Sequence, residues 1–101
     1  MPYNYTVRYL PIAVDDLVSI HDWIGDNSPA KATVFVEKLD KRIQNLRRHP
    51  LLGKEPRFEK LRRLGYRVLI LEPYLIFYVV DVRTVTIHRV LHGSRYLEDL
   101  L

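Results

Sequence analysis

The chain of 101 residues contains no cysteine. That excludes disulfide scaffolds, thiol nucleophiles and cysteine–zinc sites together. Glycine is scarce, with only four in the chain. No P-loop, no Gly-x-Gly-x-x-Gly and no Gly-x-Ser-x-Gly elbow is present. No apolar run approaches the roughly 18 residues that a membrane-spanning helix needs. The first twenty residues carry Arg8, Asp15 and Asp16 and lack the apolar core of a signal peptide. Disorder is excluded by composition, since 48% of residues are hydrophobic and 28% charged. What remains is a soluble cytoplasmic protein without a membrane partner. One domain over residues 1–101 is expected, large enough to build a core without metal or cofactor.

Charge is the first positive feature. The net value is +4, but its distribution is uneven. Residues 1–26 set Arg8 against Asp15, Asp16, Asp22 and Asp26. Residues 38–67 hold Lys38, Lys41, Arg42, Arg47, Arg48, Lys54, Arg57, Lys60, Arg62, Arg63 and Arg67 against Asp40, Glu55 and Glu59, a net of +8. Such a stretch attracts phosphate or an acidic partner. Equally, it is what a solvated helix face beside a basic loop looks like.

Hydrophobic periodicity then orders the chain. Residues 3–10 alternate with aromatic and β-branched side chains and predict a strand. After Pro11, the stripe Ala13, Leu17, Ile20, Ile24 predicts a helix that stops at Gly25-Asp26-Asn27. Ser28-Pro29 is an N-cap followed by a first helical residue. It starts a second helix with the stripe Ala32, Phe35, Leu39, Ile43, Leu46, ending at Pro50. Residues 50–60 read as a basic loop. Leu61–Leu64 reads as a short strand, and residues 66–72, 74–80 and 84–91 as longer ones. The continuous apolar run at 74–80 predicts the strand in the middle of a sheet. Turns are expected at Glu72-Pro73 and Asp81-Val82-Arg83, and Ser94 is a candidate cap for a short terminal helix. The order is β-α-α-β-β-β(-α). This is α+β, with a helical hairpin packed on one face of an antiparallel sheet and the other face left open.

Several side chains are candidates for chemistry. His88 and His92 are four apart, but they straddle a strand and a glycine, so metal binding is not expected. The stronger cluster is cationic. Arg62, Arg63 and Arg67 are placed on the first strands of the sheet and Arg89 on the last, followed by His92, Arg95 and Tyr96. An arginine in an apolar strand is costly unless it meets solvent or a partner. Arginines on neighbouring strands grip a phosphate bidentately. Tyr96 suits stacking on a base, and His92 suits proton transfer near neutral pH. The competing reading pairs Arg67 and Arg89 with Glu72, Asp81, Glu98 or Asp99.

Taken in order, these pieces resemble a known family. The residues that carry the likeness are Ala13, Asp16-Leu17 and Ile20; Leu46-Arg47-Arg48-His49-Pro50; Gly53; residues 74–78; and Ile87-His-Arg-Val-Leu-His-Gly93 with Arg95. The chain resembles the RelE/ParE superfamily, the toxins of type II toxin–antitoxin systems, often labelled plasmid-stabilisation proteins. The resemblance implies a growth inhibitor silenced by a cognate antitoxin with an acidic, partly disordered segment. That segment is expected over residues 54–67 and the sheet edge. Two targets are open. Ribosome-dependent members cut mRNA as metal-independent endoribonucleases, which requires a base, cations for the developing phosphorane and an acid. On that favoured reading, Arg67 and Arg89 hold the scissile phosphate. Lys54 helps activate the 2′-hydroxyl, His92 or Tyr96 supplies the acid or stacks, and Arg62, Arg63, Arg95 and Lys60 bind RNA. The alternative is a ParE-like inhibitor of DNA gyrase without catalytic activity.

Overall fold

The computed structural model describes residues 4–93. The terminal helix expected after Ser94 lies outside them, as do Arg95 and Tyr96. The chain forms β1 (Thr6–Tyr9), α1 (Pro11–Gly25), α2 (Pro29–Gln44) and a 3-10 turn (Asn45–Arg47). Then follow α3 (Glu59–Arg63), β2 (Tyr66–Leu71), β3 (Tyr74–Asp81) and β4 (Thr84–His92). No helix among the described residues is long and apolar enough to cross a membrane.

Local chemistry accounts for the helical hairpin. Leu10 is extended and Pro11 opens α1 without needing its missing N–H. Ser28 is extended, and its hydroxyl accepts from the Lys31 backbone N–H at 3.3 Å, capping α2. Ala13 and Ile20 of α1 are buried with Leu17 and Ile24 packed beside them, while Ala32, Leu39 and Ile43 of α2 are buried. Both expected stripes therefore face inward. They meet Leu69, Tyr74, Ile76, Tyr78, Val85, Ile87 and Val90 from the sheet. Each fully buried Leu or Ile contributes about 1.5–3 kcal/mol of transfer free energy.

The sheet order is β1-β4-β3-β2. β3 lies between two neighbours, as its apolar run predicts, and Tyr74, Ile76, Phe77 and Tyr78 are buried. β2, β3 and β4 form antiparallel hairpins. β1 joins β4 in parallel, so the sheet is mixed. The helical hairpin and the following strands supply the long crossover that a parallel pair requires. Val82 closes the last hairpin with φ +52°, a costly conformation for a β-branched residue.

The parallel β1–β4 pair corrects the expected all-antiparallel sheet, and two further expectations need correction. Residues 61–64 are not a strand. Glu59-Lys60-Leu61-Arg62-Arg63 is a run of helix formers with one apolar residue and no period-two alternation, and it winds into α3. Nor is the second sheet face open. Leu61 of α3 packs there with Val68, Phe77 and Leu91, flanked by Phe58, Tyr66 and Leu75.

A bulge in β4 sets the direction of its side chains. Tyr78 pairs with Ile87 and Phe77 with Arg89, so His88 is the extra residue. Plain alternation from Val85 and Ile87 would send Arg89 into the helix-side core. The bulge sends Val90 there instead and leaves Arg89 at the strand edge.

Candidate functional site

The side chains picked out in the sequence separate into three places. Arg89 and His92 lie on β4 beside α1. β1 ends at Tyr9, opposite Ile87, and the Leu10 N–H makes its last bond to the Ile87 carbonyl at 2.9 Å. Beyond that point Asp16 of α1 takes over the edge. Arg89 donates from Nε to Asp16 Oδ2 at 2.8 Å and from Nη2 to Oδ1 at 3.0 Å. The Val90 N–H donates to the same Oδ2 at 2.9 Å. The two side chains are only 19% and 12% exposed. Arg89 is therefore held by a carboxylate of its own chain, and that acid is Asp16, not Glu72 or Asp81; Glu98 and Asp99 lie outside the described residues. A cleft opens next to the pair, lined also by Ile20, Trp23, Tyr74 and His92. The His92 ring stands edge-on to Tyr74 at 5.5 Å, and Trp23 is 73% exposed.

Arg67 and Lys54 lie at the other side of the sheet, on and beside β2. Arg67 pairs across the strands with Tyr78, which faces the helix side. Its guanidinium donates to the Gly53 carbonyl at 3.1 and 2.7 Å and to the Leu51 carbonyl at 3.1 Å. The Tyr78 hydroxyl donates to the Pro50 carbonyl and accepts from the Gly53 N–H, both at 2.8 Å. Burial pushes the Tyr78 phenol up from its ordinary value, against the lowering effect of the Gly53 N–H and the Arg67 charge. A Cβ on Gly53 would meet the Tyr78 hydroxyl at 2.7 Å and the Val68 carbonyl at 2.8 Å, so only glycine fits. Lys54 then exchanges both backbone hydrogen bonds with Val68 at 2.8 Å and leaves its side chain exposed.

Lys60, Arg62 and Arg63 are on α3, not on strands. Arg62 donates to the Pro56 and Arg57 carbonyls at 2.8 and 2.6 Å and closes the loop before its own helix. Arg63 pairs with Glu59 one turn away at 2.8 Å, an exposed contact of little energetic weight. Arg67 and Arg89 are separated by β3, about 10 Å at ordinary strand spacing. Among the described residues, the expected convergence of arginines on an open sheet face is thus not formed. Its physical reason is that backbone carbonyls and Asp16 satisfy these cations first.

Four arrangements were not foreseen from the sequence. Asp16 contributed to the family likeness, but its partner is 73 residues away. Tyr78 looked like an ordinary core aromatic. Tyr66 shares a 2.9 Å hydrogen bond with His88 Nδ1, with the rings edge to face at 5.0 Å. Burial, and secondarily the nearby Arg8 charge, holds His88 below the usual histidine range. On the hairpin side Tyr9 donates to Asp40 at 2.6 Å, and burial followed by that bond and the Asp40 charge raises its phenol strongly. No group of three or more His, Asp or Glu among the described residues could hold a metal ion.

A family model described as the ParE toxin of the type II toxin–antitoxin system parDE matches residues 7–97. The chain belongs to this ParE toxin family. It is a toxin of the type II class. Its fold is similar to the chromosomal ParDE toxin–antitoxin system of P. aeruginosa, with a TM-score of 0.74 and 21% identity over 90% of this chain and 98% of that one. It is also similar to the toxin–antitoxin complex RelBE2 from Mycobacterium tuberculosis, with a TM-score of 0.62 and 30% identity over 91% and 94% of the two chains. No protein of curated function matches in sequence. Both the α+β architecture and the RelE/ParE kinship expected from the sequence hold for this ParE-family toxin.

Proposed function

We propose that this toxin arrests growth by docking on a protein target, DNA gyrase, and not by cutting RNA. The observation that carries this reading is the fate of the two strand arginines. Arg89 is neutralised by Asp16, and Arg67 is spent on the Gly53 and Leu51 carbonyls. A phosphorane needs uncommitted cations grouped within a few ångströms of a base and an acid. Here Arg89 and His92 share one cleft while Lys54 and Arg67 sit across the sheet. The match to a ParE family model supports the same reading. Lys54, Lys60, Arg62 and Arg63 then supply a positive field that attracts acidic protein surfaces. One such surface is an acidic, partly disordered segment of a cognate antitoxin, which keeps the toxin silent in the cytoplasm and orders on binding.

Two parallel assays test the proposal. Purified toxin added to gyrase and relaxed plasmid should block supercoiling. The same toxin in a translating extract should leave message intact. Cleaved message with unaffected supercoiling would overturn the proposal and restore the ribonuclease reading.

A further inference from the structure

We infer that the loop at residues 50–54 is a preformed knob through which the toxin docks on its target. The inference rests on the docking mode proposed above. Two leucines stand at the tip of this loop, Leu51 at 65% exposure and Leu52 at 49%. Exposed leucines in a loose loop would be unremarkable. This loop is anything but loose. Tyr78, buried in the core, grips Pro50 and Gly53 through one hydroxyl. Arg67 holds the Leu51 and Gly53 carbonyls. The Lys54 backbone is tied to Val68 in both directions. Ordering is thus already complete on both sides of the leucines, and the side chains they present are apolar. An apolar anchor held in place before binding removes much of the entropic cost of association.

The surroundings define the partner. Arg47 and Arg48 precede the tip and Lys54 follows it, all exposed, with Glu55 the nearest acid in the chain. Arg42 donates to the Ile70 carbonyl at 3.1 Å, which places another cation on the same β2 edge. That edge offers no site for an added strand near Val68, because Lys54 occupies it. Recognition there must come from side chains. The fitting partner is a folded protein surface with an apolar pocket rimmed by carboxylates.

The test is a Leu51→Ser/Leu52→Ser variant, read by growth arrest on induction, by binding to the cognate antitoxin and by thermal melting. Growth arrest should fall by about tenfold or more in potency, while melting and antitoxin binding stay at wild-type values. Unchanged growth arrest would overturn the inference. Loss of antitoxin binding along with toxicity would also overturn it, since the knob would then be an antitoxin contact. Leu51→Met/Leu52→Met keeps the apolar anchor and should retain toxicity. Gyrase supercoiling is measured with the same proteins. If wild-type toxin leaves gyrase unaffected, the choice of target fails, while the growth assay still decides the role of the loop.

Discussion

Arg89 and Arg67 lie two strands apart and are held by opposite means. Arg89 meets a carboxylate brought by α1, and the two charges are largely shut off from water. Arg67 meets backbone carbonyls and the neutral Tyr78 phenol, with no carboxylate among the described residues, at the rim of an exposed loop. The first arrangement fastens a helix to the β4 edge beyond Ile87, where the pairing with β1 has ended. The second fastens a loop and presents what the loop carries. An arginine in a strand is therefore not by itself a sign of an anion site. The backbone can use it as a staple, and a staple of that kind has no acidic partner to betray it in the sequence.

If burial separates the two anchors, their energies must differ. The largest effect is expected for Asp16→Ala, which takes the carboxylate away from a mostly buried guanidinium and from the Val90 N–H. Urea unfolding should register a loss of about 3–5 kcal/mol. Adding Arg89→Met to that variant should recover much of it, because the mostly buried charge that lost its carboxylate is gone. A double variant no more stable than Asp16→Ala would break the account.

At the loop, Gly53→Ala should cost about 1–3 kcal/mol, since its methyl group has only the Tyr78 ring and the Val68 backbone to displace. Arg67→Met should cost about 1 kcal/mol, less than Asp16→Ala, because water can replace the guanidinium at an exposed rim. Its clearer sign is faster hydrogen exchange at the Gly53 and Lys54 amides. Equal losses for Arg67→Met and Asp16→Ala would erase the distinction drawn between the anchors.

The smallest effect concerns pH. His88 titrates below its unfolded value, so the native state binds fewer protons than the unfolded one. Its contribution to stability is present above about pH 6.5 and is lost as pH falls towards its folded value. Unfolding midpoints between pH 7.5 and 5.0 should fall for the wild type and fall less for His88→Gln. A steeper decline in the variant would contradict the assignment.

Much of this toxin is legible residue by residue. The helix stripes, the Ser28 cap, the central strand at 74–80 and the two hairpin turns follow from period, propensity and turn chemistry over a few neighbours. Leu61–Leu64 misled because four residues are too few to establish a period, and two adjacent arginines fit a helical turn as well as a strand.

The site was less legible. Lys54, Arg67 and Arg89 are visible as cations, yet nothing local says which of them will be used up. By itself the sequence determined the elements, the apolar faces that bring them together and the family. Only the tertiary structure decided where the charges end: the β4 bulge that turned Arg89 to the edge, the arrival of Asp16 beside it, and the Tyr78–Gly53 contact that made Arg67 a loop anchor. Those outcomes depend on partners 14 to 73 residues apart, whose meeting is set by packing and not by neighbouring sequence.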